Sequence, residues 1–217
     1  MGRRGGDRAP GPRVGRIVAG GVVVVALVAA GVLARMGEDS TPVAVAPSQP
    51  VPTPTPSPTP ECSTTTVAFV PTSVSIPGVQ AHINVIALKR DSHDVPGTPP
   101  LSSTGKTEMA FDLGSGIEPG DALGNALLNA HTWPDGSALG NRLLAGLHEG
   151  DQFDVQGPLG RICYKVTARI EVPATDPGKQ YYAKTGVPQV AIIVCSGKRL
   201  GPGVWTMRTM WFASPMV

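Results

Sequence analysis

The sequence predicts a mostly β domain, closed into a barrel with only short helices. Three observations carry that expectation. Seven short runs, many alternating apolar with polar residues, recur along the chain: "TSVSIPG", "AHINVIAL", "NALLNAH", "DQFDVQG", "CYKVTARIEV", "QVAIIVC" and "VWTMRTMWF". Alternation of this kind is the period-2 signature of half-buried strands. Gly (27) and Pro (23) are plentiful while aromatics make up only 5% of residues, so turns interrupt the chain often. Only "GNRLLAGLHEG" reads as a short helix, with Leu143, Leu144 and Leu147 on one side, and no internal repeat is visible.

The strands are preceded by a different kind of sequence. Residues 1–16, "MGRRGGDRAPGPRVGR", hold five arginines and one aspartate. Residues 17–34, "IVAGGVVVVALVAAGVLA", follow as eighteen residues without a charge. At about 1.5 Å per residue such a helix covers roughly 27 Å, close to the ~30 Å hydrocarbon core of a bilayer. The run exceeds the apolar part of a usual signal peptide. Residues 17–34 therefore read as a transmembrane signal anchor. The arginines before it keep the short N-terminus cytoplasmic and send the rest outside. A cleaved signal peptide is the alternative, and it exports the remainder equally.

Residues 35–61 include "STPVAVAPSQPVPTPTPSPTPE", a Pro/Thr/Ser-rich tract. Proline fixes φ and removes a backbone donor, so the tract stays extended and solvated and reads as a stalk. Residues 62–217 form one domain large enough for a core of its own. The chain carries a formal charge of +2, but residues 1–35 hold six basic and one acidic residue, which leaves the remainder at −3. A weakly acidic body argues against nucleic acid as a partner.

Three groups can carry chemistry. Of three cysteines, Cys62 precedes the first strand, Cys163 sits in "RICYKV", and Cys195 ends "AIIVC", where "SGKRLGPG" reads as a flexible loop. An exported chain with an odd cysteine count has one thiol left over, and three pairings are open. Position favours Cys195 as the free thiol and Cys62–Cys163 as the candidate disulfide. A thiol attacks as thiolate and needs a base or a cation beside it. His93 and His148 lie in polar turns and His82 in an alternating strand, whereas His131 ends the apolar strand "NALLNA". His131 thus repeats the setting of Cys195, a reactive side chain where a buried strand ends. Arg208, in "VWTMRTMWF", sits where neither face is plainly solvent, so its guanidinium requires an anionic partner. A developing oxyanion would be one; a surface carboxylate beside an edge strand would be another.

Taken in order, these segments resemble the sortase family of Gram-positive cell-envelope transpeptidases. "EPGDALGNALLNAHTWPDGSALGNRLLAGLHEGDQFDV" is similar to the family's histidine region, and "VAIIVCSGKRLGPGVWTMRTMWFA" to its strand–Cys–loop–Arg-strand unit. "PTSVSIPGVQAHINVIAL" is similar to its first strands. The resemblance spans about Pro71 to Ala213 and implies a closed eight-stranded barrel. It also implies that His131, Cys195 and Arg208 are catalytic, with Val194, Thr206 and Trp133 as candidate substrate contacts. Two departures stand out. Ala191 and Val194 occupy positions where sortases carry threonine in a Thr-Leu-x-Thr-Cys pattern, and Ala130 replaces the glycine that commonly precedes the histidine. Anchor, stalk and compact domain look most like actinobacterial class F or class E sortases, with class F favoured by short "VPGTPP" and "SGKRLGPG" loops.

The implied activity is cleavage of a Leu-Pro-x-Thr-Gly-type sorting signal at Thr–Gly, through a Cys195 thioester. The acyl group would pass to an amine of the cell envelope, on a peptidoglycan precursor or a pilin lysine. The implied protein is a monomer at the cell membrane, with its catalytic domain outside, no cofactor and no metal. Other readings are a non-catalytic tethered binding barrel and a sortase-fold enzyme acting mainly as a hydrolase. An L,D-transpeptidase would carry arginine two residues after the cysteine, where Gly197 stands, and a papain-like protease would place cysteine before histidine. A zinc site at His131 and Cys195 lacks paired-ligand spacing.

Overall fold

The computed structural model describes Cys62 and residues 67–216. The basic tail 1–16, the anchor 17–34 and the stalk 35–61 expected from the sequence lie outside them. Among the described residues no helix is long and apolar enough to cross a membrane.

Eight strands form: β1 (Ser73–Ile76), β2 (Gln80–Leu88), β3 (Met109–Asp112), β4 (Asn125–Ala130), β5 (Gln152–Gly157), β6 (Gly160–Pro173), β7 (Gln189–Gly201) and β8 (Val204–Pro215). They close into a barrel in the order β1-β2-β3-β4-β7-β8-β6-β5. Closure leaves no strand with an unpaired edge. The pairs β2–β3 and β4–β7 are parallel, and the remaining pairs are antiparallel. One helix, α1 (Leu139–Gly146), packs Leu139 and Leu143 into the main core, with Leu147 following just after it. Trp211 Nε1 donates to the Leu147 carbonyl at 2.9 Å, which ties this turn to β8.

The expected mostly β, eight-stranded closed barrel is thus the observed architecture. Seven of its strands coincide with the seven runs; β3 does not. "MAFD" is only four residues long and all four are buried, so it shows no alternation. Its Asp112 is fully buried and pairs with Arg90 at 2.7 Å.

Two apolar clusters explain why β4, β7 and β8 read as continuous apolar runs. Leu128, Ala130, Ile192, Val194, Trp211 and Ala213 point into the barrel. Leu127, Ala191, Met210 and Phe212 point outward and pack with Tyr181, from the β6–β7 connection. These strands are buried on both faces, the condition that removes polar alternation.

The segment after Cys195 differs from the sequence expectation. β7 does not stop at Cys195 but continues to Gly201 and forms a bulged hairpin with β8. The register shifts between Ser196 and Arg199, where Gly197 takes φ +74° and the Lys198 amide donates to Thr206 Oγ1 at 2.8 Å. A bulge absorbs one extra residue and sharpens the local twist, so Gly and Lys signals that read as a loop belong to a ribbon.

Cys62 is disulfide-bonded to Cys163 across a sequence separation of 101. Closing a loop that long restricts the unfolded chain. Cys62→Ser, which alters only an exposed residue, should therefore lower the unfolding free energy by about 3–5 kcal/mol. Urea denaturation of both proteins measures it, and a difference below about 1 kcal/mol would mean the cross-link restrains little.

Candidate active site

Register alone brings the three candidate groups together. β4 and β7 run parallel with Asn129 opposite Ile193 and Ala130 opposite Val194, so His131 follows beside Cys195. In the antiparallel pair, Cys195 lies directly opposite Arg208. Neighbouring strands lie about 4.8 Å apart, and side chains two residues apart share a face. His131, just past the end of β4, therefore stands beside Cys195 on β7 and Arg208 on β8, on the outer face of the barrel. All three line one groove of about 340 Å³, together with Asn129, Ile193 and Tyr182.

Each group has a distinct environment. Cys195 is the free cysteine among the described residues and is partly buried. Burial pushes its thiol pKa up, because a thiolate loses hydration there, while the charge of Arg208 pulls it back down. The Thr132 hydroxyl donates to the Cys195 carbonyl at 2.6 Å and ties the chain after β4 to β7. His131 Nε2 bonds to the carbonyl of Pro99 at 2.6 Å. A carbonyl only accepts, so this nitrogen carries a proton and Nδ1 is the acceptor of the neutral ring. Arg208 donates to the Met207 carbonyl at 2.9 Å. Among the described residues no carboxylate forms an ion pair with it. Nor is β8 an edge strand, since β7 and β6 flank it. The surface-carboxylate alternative for Arg208 therefore has no counterpart among the described residues.

The other sequence-stated contacts sit elsewhere. Val194 is 2% exposed with its side chain in the barrel core, so it meets the groove only along its backbone. Thr206 holds the hairpin bulge through Lys198. The Trp133 amide donates to Asn141 Oδ1, and Lys106 Nζ lies 4.3 Å from its ring centroid. Neither Thr206 nor Trp133 lines the groove. His82, His93 and His148 are exposed. Among the described residues no group of three or more His, Cys, Asp or Glu converges.

Sequence reasoning missed several contributors, among them Asn129, Ile193, Tyr182 and the segment that brings Val95, Pro96 and Thr98 to the groove. Asn129 had a signal, a polar residue two before His131 inside an apolar strand. The Val95 segment had none, because it reaches the groove from the β2–β3 connection. A second cavity of about 370 Å³ adjoins the first, shares Val95, Pro96 and Tyr182 with it, and extends along β4 to Asn125.

No protein-family model and no curated protein matches this chain. Solved structures do. Sortase A from Corynebacterium diphtheriae superposes with a TM-score of 0.52 at 17% identity, over 70% of this chain and 62% of that one. Its lid mutant gives 0.51 at 18% identity, over 70% and 72%. The pilus-related sortase C of Group B Streptococcus gives 0.51 at 17% identity, over 68% and 67%. At such identities the likeness establishes the fold, and the barrel is a sortase fold.

The opposing influences on Cys195 set the pH dependence of its reactivity. Alkylation by iodoacetamide should rise with pH through a midpoint above that of a free cysteine. Arg208→Ala removes the influence that favours thiolate, so the midpoint should move higher still. A pH–rate profile of both proteins tests this, and an unchanged or lowered midpoint in the variant would mean that the guanidinium does not sense the sulfur.

Proposed function

We propose that the chain is a membrane-anchored cysteine transpeptidase of the sortase type. In this reading residues 17–34 hold it in the cell membrane, residues 35–61 act as the stalk, and residues 62–217 work outside. Anchor, stalk and compact domain fit an actinobacterial class F or class E enzyme, and the short "VPGTPP" connection favours class F. The observation that carries the reading is the shared register of His131, Cys195 and Arg208 on one groove-facing surface.

The chemistry follows from what each side chain can do. The substrate is a peptide of Leu-Pro-x-Thr-Gly type. Cys195 thiolate attacks the threonine carbonyl carbon, and the carbonyl electron pair moves onto oxygen. The Arg208 guanidinium on the neighbouring strand stabilises that oxyanion. Collapse of the tetrahedral intermediate breaks the Thr–Gly bond as protonated His131 gives its proton to the leaving glycine amine. An incoming amine then attacks the thioester carbonyl, His131 takes up a proton, and the thiolate leaves. With water in place of the amine, the same steps give hydrolysis. Burial disfavours the attacking thiolate and the Arg208 charge favours it, so the guanidinium also serves to activate the sulfur.

The test incubates the full chain with a fluorogenic Leu-Pro-x-Thr-Gly peptide, with and without an amine acceptor. A thioester adduct should be trapped on Cys195 by mass spectrometry, and Cys195→Ala should abolish turnover. His131→Ala should remove the general acid. Arg208→Ala should lower kcat/KM by about 10²–10³, the usual loss for an oxyanion donor. Turnover that survives in Cys195→Ala would assign the chemistry to another site.

A further inference from the structure

One wall of the groove is made by the connection between β2 and β3. Val95, Pro96 and Thr98 line the groove beside Cys195. The Gly97 carbonyl accepts from Asn129 Nδ2 at 2.9 Å, and the Pro99 carbonyl bonds to His131 Nε2 at 2.6 Å. Two carbonyls two residues apart meet two side chains two residues apart on the outer face of β4. An extended peptide laid along that strand would make the same pattern. Asn129 is 8% exposed, and its Oδ1 is buried without a partner, so its amide is only half used by this segment.

The chain on either side of the segment is fastened by its own local hydrogen bonds, and the segment meets the β4 side through Asn129 and His131. Before it, the Asp91 carboxylate accepts from the His93 and Val95 amides, and Arg90 bridges Asp94 and Asp112. After it, the Gly105 amide donates to Ser102 Oγ. Between these anchors the segment's polar contacts to β4 and the residue following it are those of Asn129 and His131. The residues read Val95-Pro96-Gly97-Thr98-Pro99, an aliphatic-Pro-x-Thr sequence with proline where a sorting signal has glycine.

We propose that Val95–Pro99 is an intramolecular pseudosubstrate that competes with the sorting peptide for Asn129 and His131. This rests on the transpeptidase reading above. The bond after Thr98 is a tertiary amide, and while His131 holds the Pro99 carbonyl its Nε2 proton is engaged. Peptide binding then requires the segment to lift, and the apparent affinity falls by the fraction of molecules that are open. Asn129 is the positioning residue that both occupants share, as donor to the carbonyl preceding threonine.

The experiment follows Cys195 alkylation by iodoacetamide in the full chain, which needs no turnover. Two variants open the groove. In Gly97→Ala the new Cβ would meet Leu88 Cβ at 2.7 Å and displace the segment. In the second, Val95–Pro99 is replaced by Gly-Ser-Gly-Ser-Gly, which removes the aliphatic, proline and threonine side chains. Thermal melts establish that each is folded. Loss of contacts worth one or two net hydrogen bonds should speed alkylation about tenfold. The free peptide Val-Pro-Gly-Thr-Pro-Pro, added in excess, should slow alkylation in the opened variants and have little effect on the wild type. Wild-type alkylation rates in the folded variants, or no protection by the peptide, would overturn the proposal and make the segment a fixed wall. Absence of sorting-peptide cleavage in every protein would count against the transpeptidase reading and leave the alkylation result standing.

Discussion

The site depends on the register of β7 between its two neighbours. β7 pairs in parallel with β4 and antiparallel with β8, and it is apolar on both faces. A one-residue slip would turn every side chain to the opposite face, send Cys195 into the barrel and bring Val194 out. Such a slip would also break the match between two differently filled clusters. Inside, Ile192 and Val194 lie among Leu128 and Trp211; outside, Ala191 lies among Leu127 and Phe212. The packing that makes the strand look featureless therefore fixes which way its sulfur faces.

The same burial shapes the chemistry. The thiol sits where hydration of a thiolate is reduced, and Arg208 only partly offsets this. Burial thus disfavours the Cys195 thiolate, while His131 is held by a backbone carbonyl. In the proposed transpeptidase reading, both features would restrain reactivity until a peptide enters. A peptide bound in that reading would exclude water from the groove, and the lower dielectric would strengthen the attraction between guanidinium and sulfur.

Much of this was legible in the sequence, for physical reasons that also mark where legibility ended. Strands with one solvated face announced themselves by alternation, as in "AHINVIAL". β3 was too short and too buried to do so. The order and local setting of His131, Cys195 and Arg208 were visible, but their convergence is a property of strand order, in which β4 lies beside β7 across an intervening helix and two strands. Turn signals misled at "SGKRLGPG", because a glycine with positive φ serves a bulge as well as a loop. Contacts of the Val95 segment join residues 32 apart in the chain, a separation that no local pattern reports.

Strand register also gives the two departures from the sortase pattern nearest the site a shared meaning. Ala130, where the family commonly has glycine, and Val194, where it has threonine, are partners across the β4–β7 pair. Both side chains point into the barrel and are at most 7% exposed. Alanine adds a methyl group there, and valine replaces a hydroxyl with another, so the two changes make one patch of core more apolar together. Burying a hydroxyl without a partner is costly, and filling the space with carbon removes that requirement. Ala191, at the other threonine position, faces outward but lies buried in the second cluster opposite Phe212. The substitutions thus fall on packing surfaces behind and beside the groove. The side chains of Ala130 and Val194 point away from the face that presents His131, Cys195 and Arg208, and Ala191 is buried beside it.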